Sequence, residues 1–218
     1  MAGILTVLRK ELAGFIGSDK GVFLVYAIIV VVWSFMLLSG EEGVGGRLWF
    51  VFFSVIVAAN FSSTVFISER ISGTLEVLIT SGLSRDAILF GKMIFIIIMT
   101  AVIGLSCAVS AVILRAALPE IGSGRVFGVY DAALYLSATF FNAASSAYFS
   151  VRLGNPRLLH FINIFMLGAV VVVYSAVSTF YTLHDNFLLL GFLLLAVLFT
   201  LLARSEFAGE RITRPVIF

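Results

Sequence analysis

Six long apolar stretches set what this chain can fold into: residues about 22–38, 48–67, 93–114, 128–151, 159–181 and 187–203. An α-helix rises about 1.5 Å per residue, so about 20 residues, with a workable range of about 17–25, cross the roughly 30 Å hydrocarbon core of a bilayer. All six stretches fit, the first and last narrowly. No Lys, Arg, Asp or Glu lies deep inside any of them, as expected where each would cost about 2.5–3.5 kcal/mol or more at mid-bilayer. The runs are too long for strands and lack strict alternation. Composition agrees: 61% of residues are apolar and 12% charged, against about 45–50% and about 25% in soluble domains. The mean hydropathy is +1.15. The expected fold class is an all-α integral membrane protein with six transmembrane helices, in a single transmembrane domain spanning 1–218.

Orientation follows from Lys and Arg. With the N-terminus inside, the inner segments hold Arg9, Lys10, Lys20, Arg70, Arg85, Lys92, Arg152, Arg157, Arg204, Arg211 and Arg214. The outer loops hold only Arg47, Arg115 and Arg125. Eleven against three favours cytoplasmic termini by the positive-inside rule. The outer loops, about 39–47, 115–127 and 182–186, are too short for an external domain. The N-terminus does not read as a cleavable signal, because residues 3–17 mix charged and apolar positions before the first long run. A net charge of +2 gives no reason to expect a nucleic-acid partner. The single cysteine, Cys107, can form no intrachain disulfide and reads as a small packed residue.

Residues 3–17 form an expected element of their own. Ile4, Leu5, Leu8, Leu12, Phe15 and Ile16 recur at helical spacing, with Arg9 and Lys10 on another face. Such a helix suits the inner membrane interface, basic side toward the lipid headgroups. Gly17-Ser18-Asp19-Lys20-Gly21 reads as a break before the first span.

The most informative segment joins the second and third spans, residues 68–92. A short helix is expected over about 74–80, with Leu75, Leu78 and Ile79 on one face, and Gly73 and Gly82 placed to reverse the chain at either end. A second helix begins after Ser84, a candidate N-cap, with Asp86 in its first turn. A short helix slung beneath the membrane between two spans has the shape of a docking element for a cytosolic partner.

The residues that carry a family likeness are Glu69-Arg70, Gly73-Thr74-Leu75-Glu76, Leu78, Leu83-Ser84-Arg85 and Gly91-Lys92. Their pattern resembles the signature of type-2 ABC transporter permeases, the membrane subunits of ATP-driven exporters. Gly82 stands where that family usually has Pro, and Lys10-Glu11-Leu12 is similar to its N-terminal connecting helix. The close match covers about 25 residues. The resemblance implies a subunit that pairs with a second permease, homodimeric or heterodimeric. It implies that each copy rests residues 74–80 on a soluble ATPase, through Glu69, Arg70, Gly73, Thr74, Leu75, Glu76, Leu78 and Ile79. ATP and Mg would bind that partner chain, with no cofactor and no catalytic residue in this one, and the setting would be a prokaryotic inner membrane. The chain's nearest approach to a phosphate loop, Gly82 to Lys92, has the wrong glycine spacing, and Met93 stands where Ser or Thr would hold magnesium.

Several intramembrane polar residues remain. Asp131, Tyr135, Asn142, Ser145 and Ser146 recur along the fourth span, with Asn60 in the second and Asn163 in the fifth. They are read either as part of a substrate path or as helix–helix contacts. His160 and the His184-Asp185 pair lack a third ligand and read as solvated loop residues rather than a metal site. An ion-coupled secondary transporter or another polytopic membrane protein is the rival reading, though such transporters often show inverted repeats and broken helices that are not visible here. The substrate is left open among drug, lipid, peptide and haem.

Overall fold

A computed structural model of the chain describes residues 2–18, 20–39, 44–118, 128–180 and 186–208. Its elements are α1 (Ala2–Ile16), α2 (Lys20–Ser39), α3 (Val44–Ser62), a π-helical segment (Ser63–Ser68), α4 (Glu69–Ile71), α5 (Thr74–Thr80), α6 (Arg85–Ala117), α7 (Val129–Ser150), α8 (Pro156–Phe180) and α9 (Asn186–Ala208). No strand occurs among the described residues. Among the described residues, five helical stretches are long and apolar enough to cross a membrane: Lys20–Leu38, Trp49–Ile71, Arg85–Ala117, Pro156–Val177 and Asn186–Phe207. The chain is therefore built as a multi-pass membrane protein. Of the expected outer loops, residues 40–43, 119–127 and 182–185, including His184 and Asp185, lie outside the described residues, while 44–47 and 115–117 belong to α3 and α6.

The stretch expected as a fourth span also forms a helix, α7, but it falls short of the apolarity of the other five. Its place in the bundle explains this. α7 packs against α3, α6, α8 and above all α9, and 14 of its 22 residues are buried. A helix surrounded by protein needs small contact residues rather than a lipid-compatible surface. α7 accordingly carries Ala138, Ala143, Ala144, Ala147, Ser145, Ser146 and Ser150, all buried. α3 and its π-helical continuation are similarly enclosed, whereas α2 turns most of its surface outward.

Aromatic packing fixes the interior. Phe50 and Tyr135 lie 4.4 Å apart, and the Tyr135 ring covers Gly104 so closely that a Cβ there would sit 2.6 Å from it. The Tyr135 hydroxyl donates to the Thr100 carbonyl at 2.9 Å. Cys107 is a buried free thiol, and the Ser34 hydroxyl donates to its carbonyl at 3.1 Å.

α6 has 33 residues, about 50 Å of helix, well beyond the roughly 30 Å of a hydrocarbon core. Its first turns therefore extend past the lipid-crossing part. Ser84 caps it in an extended conformation, its hydroxyl accepting from the Ala87 amide at 3.2 Å. Around this end gather the segments that the Lys/Arg count assigned to one side. Arg70 donates to the Ser150 and Val151 carbonyls at 2.9 and 2.7 Å. Arg204 pairs with Asp86 at 2.8 Å, and Arg152 pairs with Glu206 at 2.6 Å while lying over the Tyr148 ring.

Candidate functional site

Glu69 of the 68–92 segment and Lys10 and Glu11 of α1 gather around one buried lysine. Lys92 is fully buried, although the sequence places it among ordinary inner-side cations. Burial of an ammonium is tolerable only when it is paired and hydrogen-bonded. Lys92 Nζ contacts Glu11 at 2.9 Å, donates to the Val65 carbonyl at 2.8 Å and also pairs with Glu69. The Phe66 ring lies 5.9 Å from it. Lys10 closes the set, pairing with Glu69 and approaching Glu11 at 3.3 Å. Two ammonium groups and two carboxylates thus join α1, the exit of the second span and the start of α6. Burial opposes the charged form of Lys10, but Glu69 and Glu11 outweigh it and hold the ammonium above its ordinary value of 10.5.

Two backbone features make this geometry accessible. The first is the π-helical turn Ser63–Ser68. The Glu69 amide bonds to Phe66 rather than to Val65, and the Val65 carbonyl receives the Lys92 ammonium. The second is Gly91. A Cβ at this position would lie 2.7 Å from Val7 Cβ and 3.1 Å from the Ile4 carbonyl. Only glycine lets α1 lie this close, and the closeness brings Glu11 to Lys92. Gly3 against Ala87 repeats the small-residue contact one turn away. The packed face of α1 therefore runs through Ile4, Val7, Leu8, Glu11, Leu12 and Phe15. Leu5 and Ile16, expected on that face, are exposed instead.

α5 occupies the place expected for the short helix. Gly73 at φ 73° and Gly82 at φ 81° turn the chain at its two ends, a conformation that other L-residues adopt at a cost. Thr74 and Ser72 hydroxyls both donate to the Glu69 carbonyl at 3.2 Å, tying α5 to the charged cluster. The face expected to meet a partner is not free. Leu75 is 3% exposed and belongs to the core, while Leu78 and Ile79 pack partly against it. A seven-residue helix lying on its own bundle must bury its apolar stripe there. The outward surface is instead Glu76 and Val77, with Ile71 just before; Val77 is 66% exposed.

The polar residues expected within the spans divide into three kinds. Asn142 donates to the Val55 carbonyl at 2.9 Å, Asn163 donates to the Ser146 hydroxyl at 2.7 Å, and the Ser145 hydroxyl donates to Asn163 at 3.2 Å. All four side chains are buried, and their bonds join α3, α7 and α8 within one chain. Asp131 accepts from the Gly128 amide at 2.9 Å and caps its own helix. Asn60 is different. It is exposed and borders a partly open cavity of about 510 Å³ between α1, α2, α3, α4 and α6, whose walls include Glu11, Gly14, Tyr26, Phe61 and Glu69.

Among the described residues, no group of three His, Cys, Asp or Glu side chains is placed to hold a metal ion. The chain matches no protein-family model and no curated protein sequence. The functional reading accordingly rests on residues and geometry.

Proposed function

We propose that this protein is the transmembrane permease subunit of an ABC exporter, moving a substrate outward with ATP hydrolysed by a separate soluble subunit. In this reading the chain crosses a prokaryotic inner membrane six times, α7 being the fourth crossing in chain order, with both termini in the cytoplasm. α1 is the interfacial connecting helix, and α5 is the coupling helix. Two such subunits pair, and each receives one ATPase, so that ATP and Mg bind the partner chains and this chain carries no catalytic group.

The observation that carries the reading is mechanical. α5 is suspended between two positive-φ glycines, exposes Val77, and is hydrogen-bonded to the carbonyl of Glu69. The Glu69 side chain is in turn paired with Lys92 of α6 and Lys10 of α1. A push on α5 thus reaches three membrane-associated helices through short, charged contacts. Rigid packed elements with two discrete arrangements transmit displacement in this way.

On this reading the docking surface is the outward face of α5, Val77 and Glu76, together with Ile71, rather than Leu75. The test is assembly and turnover. The purified chain alone should hydrolyse no ATP, and with its ATPase it should form a two-plus-two complex whose hydrolysis responds to substrate. ATP hydrolysis by the isolated chain, or failure to bind any ATPase encoded beside it, would contradict the reading.

A further inference from the structure

We propose that the cavity under α1 is a binding site for an amphiphile with an ammonium head, a primary or quaternary amine joined to an apolar body. The site does not depend on the transport reading, and its test measures binding alone.

The cavity's volume, about 510 Å³, falls in the range of about 300–1,000 Å³ usual for small-molecule sites. Its charge is acidic on the inside. Glu11 and Glu69 line it, whereas Lys10 and Lys92, their ion-pair partners, do not. Glu11 is 9% exposed, and all its contacts with described residues pass through Oε1, to Lys92 and Lys10. Its Oε2 has no hydrogen-bond partner among them. That oxygen is not sealed from solvent, so a donor entering the cavity can reach it. An anionic head would instead meet two carboxylates at once.

The remaining walls suit the rest of such a molecule. Tyr26 stacks on Phe61 with ring centroids 5.2 Å apart and planes 8° from parallel. Phe15 lies near both, at 6.1 and 5.6 Å. Aromatic faces attract ammonium groups and accept alkyl chains. Asn60 precedes Glu69 by nine residues, about 14 Å along a helix. Its side-chain amide bonds to no described residue, although its carbonyl accepts from Ser63 and Thr64. The cavity therefore runs from a carboxylate end to a deeper amide, the length of a polar head and its first few chain atoms. Its outer wall is α2, which turns mostly outward, so the occupant belongs to the lipid phase or partitions from it.

Two sources share this chemistry: the headgroup of an aminophospholipid, and a free cationic amphiphile. The test uses the full chain in nanodiscs of phosphatidylglycerol and two photoreactive probes of equal length, a diazirine-bearing dodecylamine and the matching dodecanol. The amine should label peptides within residues 11–26 and 60–69 about tenfold more than the alcohol, the gain expected from a cation–π contact and a carboxylate partner together. Gly14 lines the cavity, and a Cβ added to it would meet nothing within 4 Å. Gly14→Leu should therefore fill the space and cut amine labelling about tenfold while the protein melts as before. Replacing phosphatidylglycerol with phosphatidylethanolamine then separates the sources. Competition identifies the lipid headgroup as occupant, and undiminished labelling identifies a free amine. Equal labelling of these peptides by amine and alcohol in the unsubstituted protein would overturn the proposal, as would undiminished labelling in a folded Gly14→Leu protein.

Discussion

Lys92 shows at the scale of one residue what holds the charged end of the bundle together. It is fully buried and meets Glu11, Glu69 and the Val65 carbonyl. Removing one member of a buried ion cluster strands the others, typically at a cost of about 3–5 kcal/mol. Lys92→Met keeps the apolar stem and removes the charge. Its thermal midpoint in detergent should fall sharply, and the double change Lys92→Met with Glu11→Gln should recover part of the loss, because it also removes a stranded carboxylate. A Lys92→Met protein that melts like the parent would refute the cluster's role. Lys10 makes a weaker, pH-dependent statement. Its folded-state pKa is raised above 10.5, so its contribution is complete below that pH and is lost as pH rises through the higher folded value. It is 40% exposed, which makes the effect small. Thermal midpoints followed from about pH 9 to 12 should decline less steeply in Lys10→Met than in the parent. The sequence displayed Lys10, Glu11, Glu69 and Lys92 individually, and their shared pattern suggested importance. It did not show that they touch, since 81 positions separate Glu11 from Lys92 and only tertiary packing brings them together.

Among elements, the seating of α1 on α6 depends on Gly91. Gly91→Val would drive a side chain into Val7 and the Ile4 carbonyl, and such overpacking typically costs about 1–3 kcal/mol. α1 should then loosen and become a site of early proteolytic cleavage. Gly14→Ala, on the same helix but with open space around it, should be neutral or stabilising by about 0.5–1 kcal/mol, since alanine restricts the unfolded chain and favours helix. Equal protease sensitivity in the two variants would contradict this packing. Long elements were legible from apolar length alone: each expected run lies within or largely overlaps a helix. Their ends were not, because helix continues wherever backbone partners persist; α6 begins at Arg85, eight residues before its apolar run. The π-helical turn was illegible, since Ser63–Ser68 holds neither glycine nor proline to mark an irregularity. That Leu75 faces the bundle was illegible for a related reason. Periodicity identifies an apolar stripe but cannot say whether the stripe meets a partner or the protein's own bundle.

For the whole molecule, the paired ends of α4, α6, α7 and α9 lie at one end of the bundle, which agrees with their assignment to one side by the Lys/Arg count. Which side that is can be read by thiol labelling. In a Cys107→Ala background, a cysteine at Ser123 should react with an impermeant reagent added to intact cells, and one at Ser81 should not; the opposite pattern would invert the topology. The same end carries α5, and the proposed partnership with an ATPase concentrates on its exposed residue, Val77. Site-specific crosslinking from Val77→Cys, in the same background and in native membranes, tests that partnership most directly. The expected product is a crosslink to a soluble chain bearing a phosphate-binding ATPase loop, at one per permease subunit, abolished when Ile71 is replaced by Asp. Crosslinking only to lipid or to this chain itself, with no ATPase captured, would contradict it.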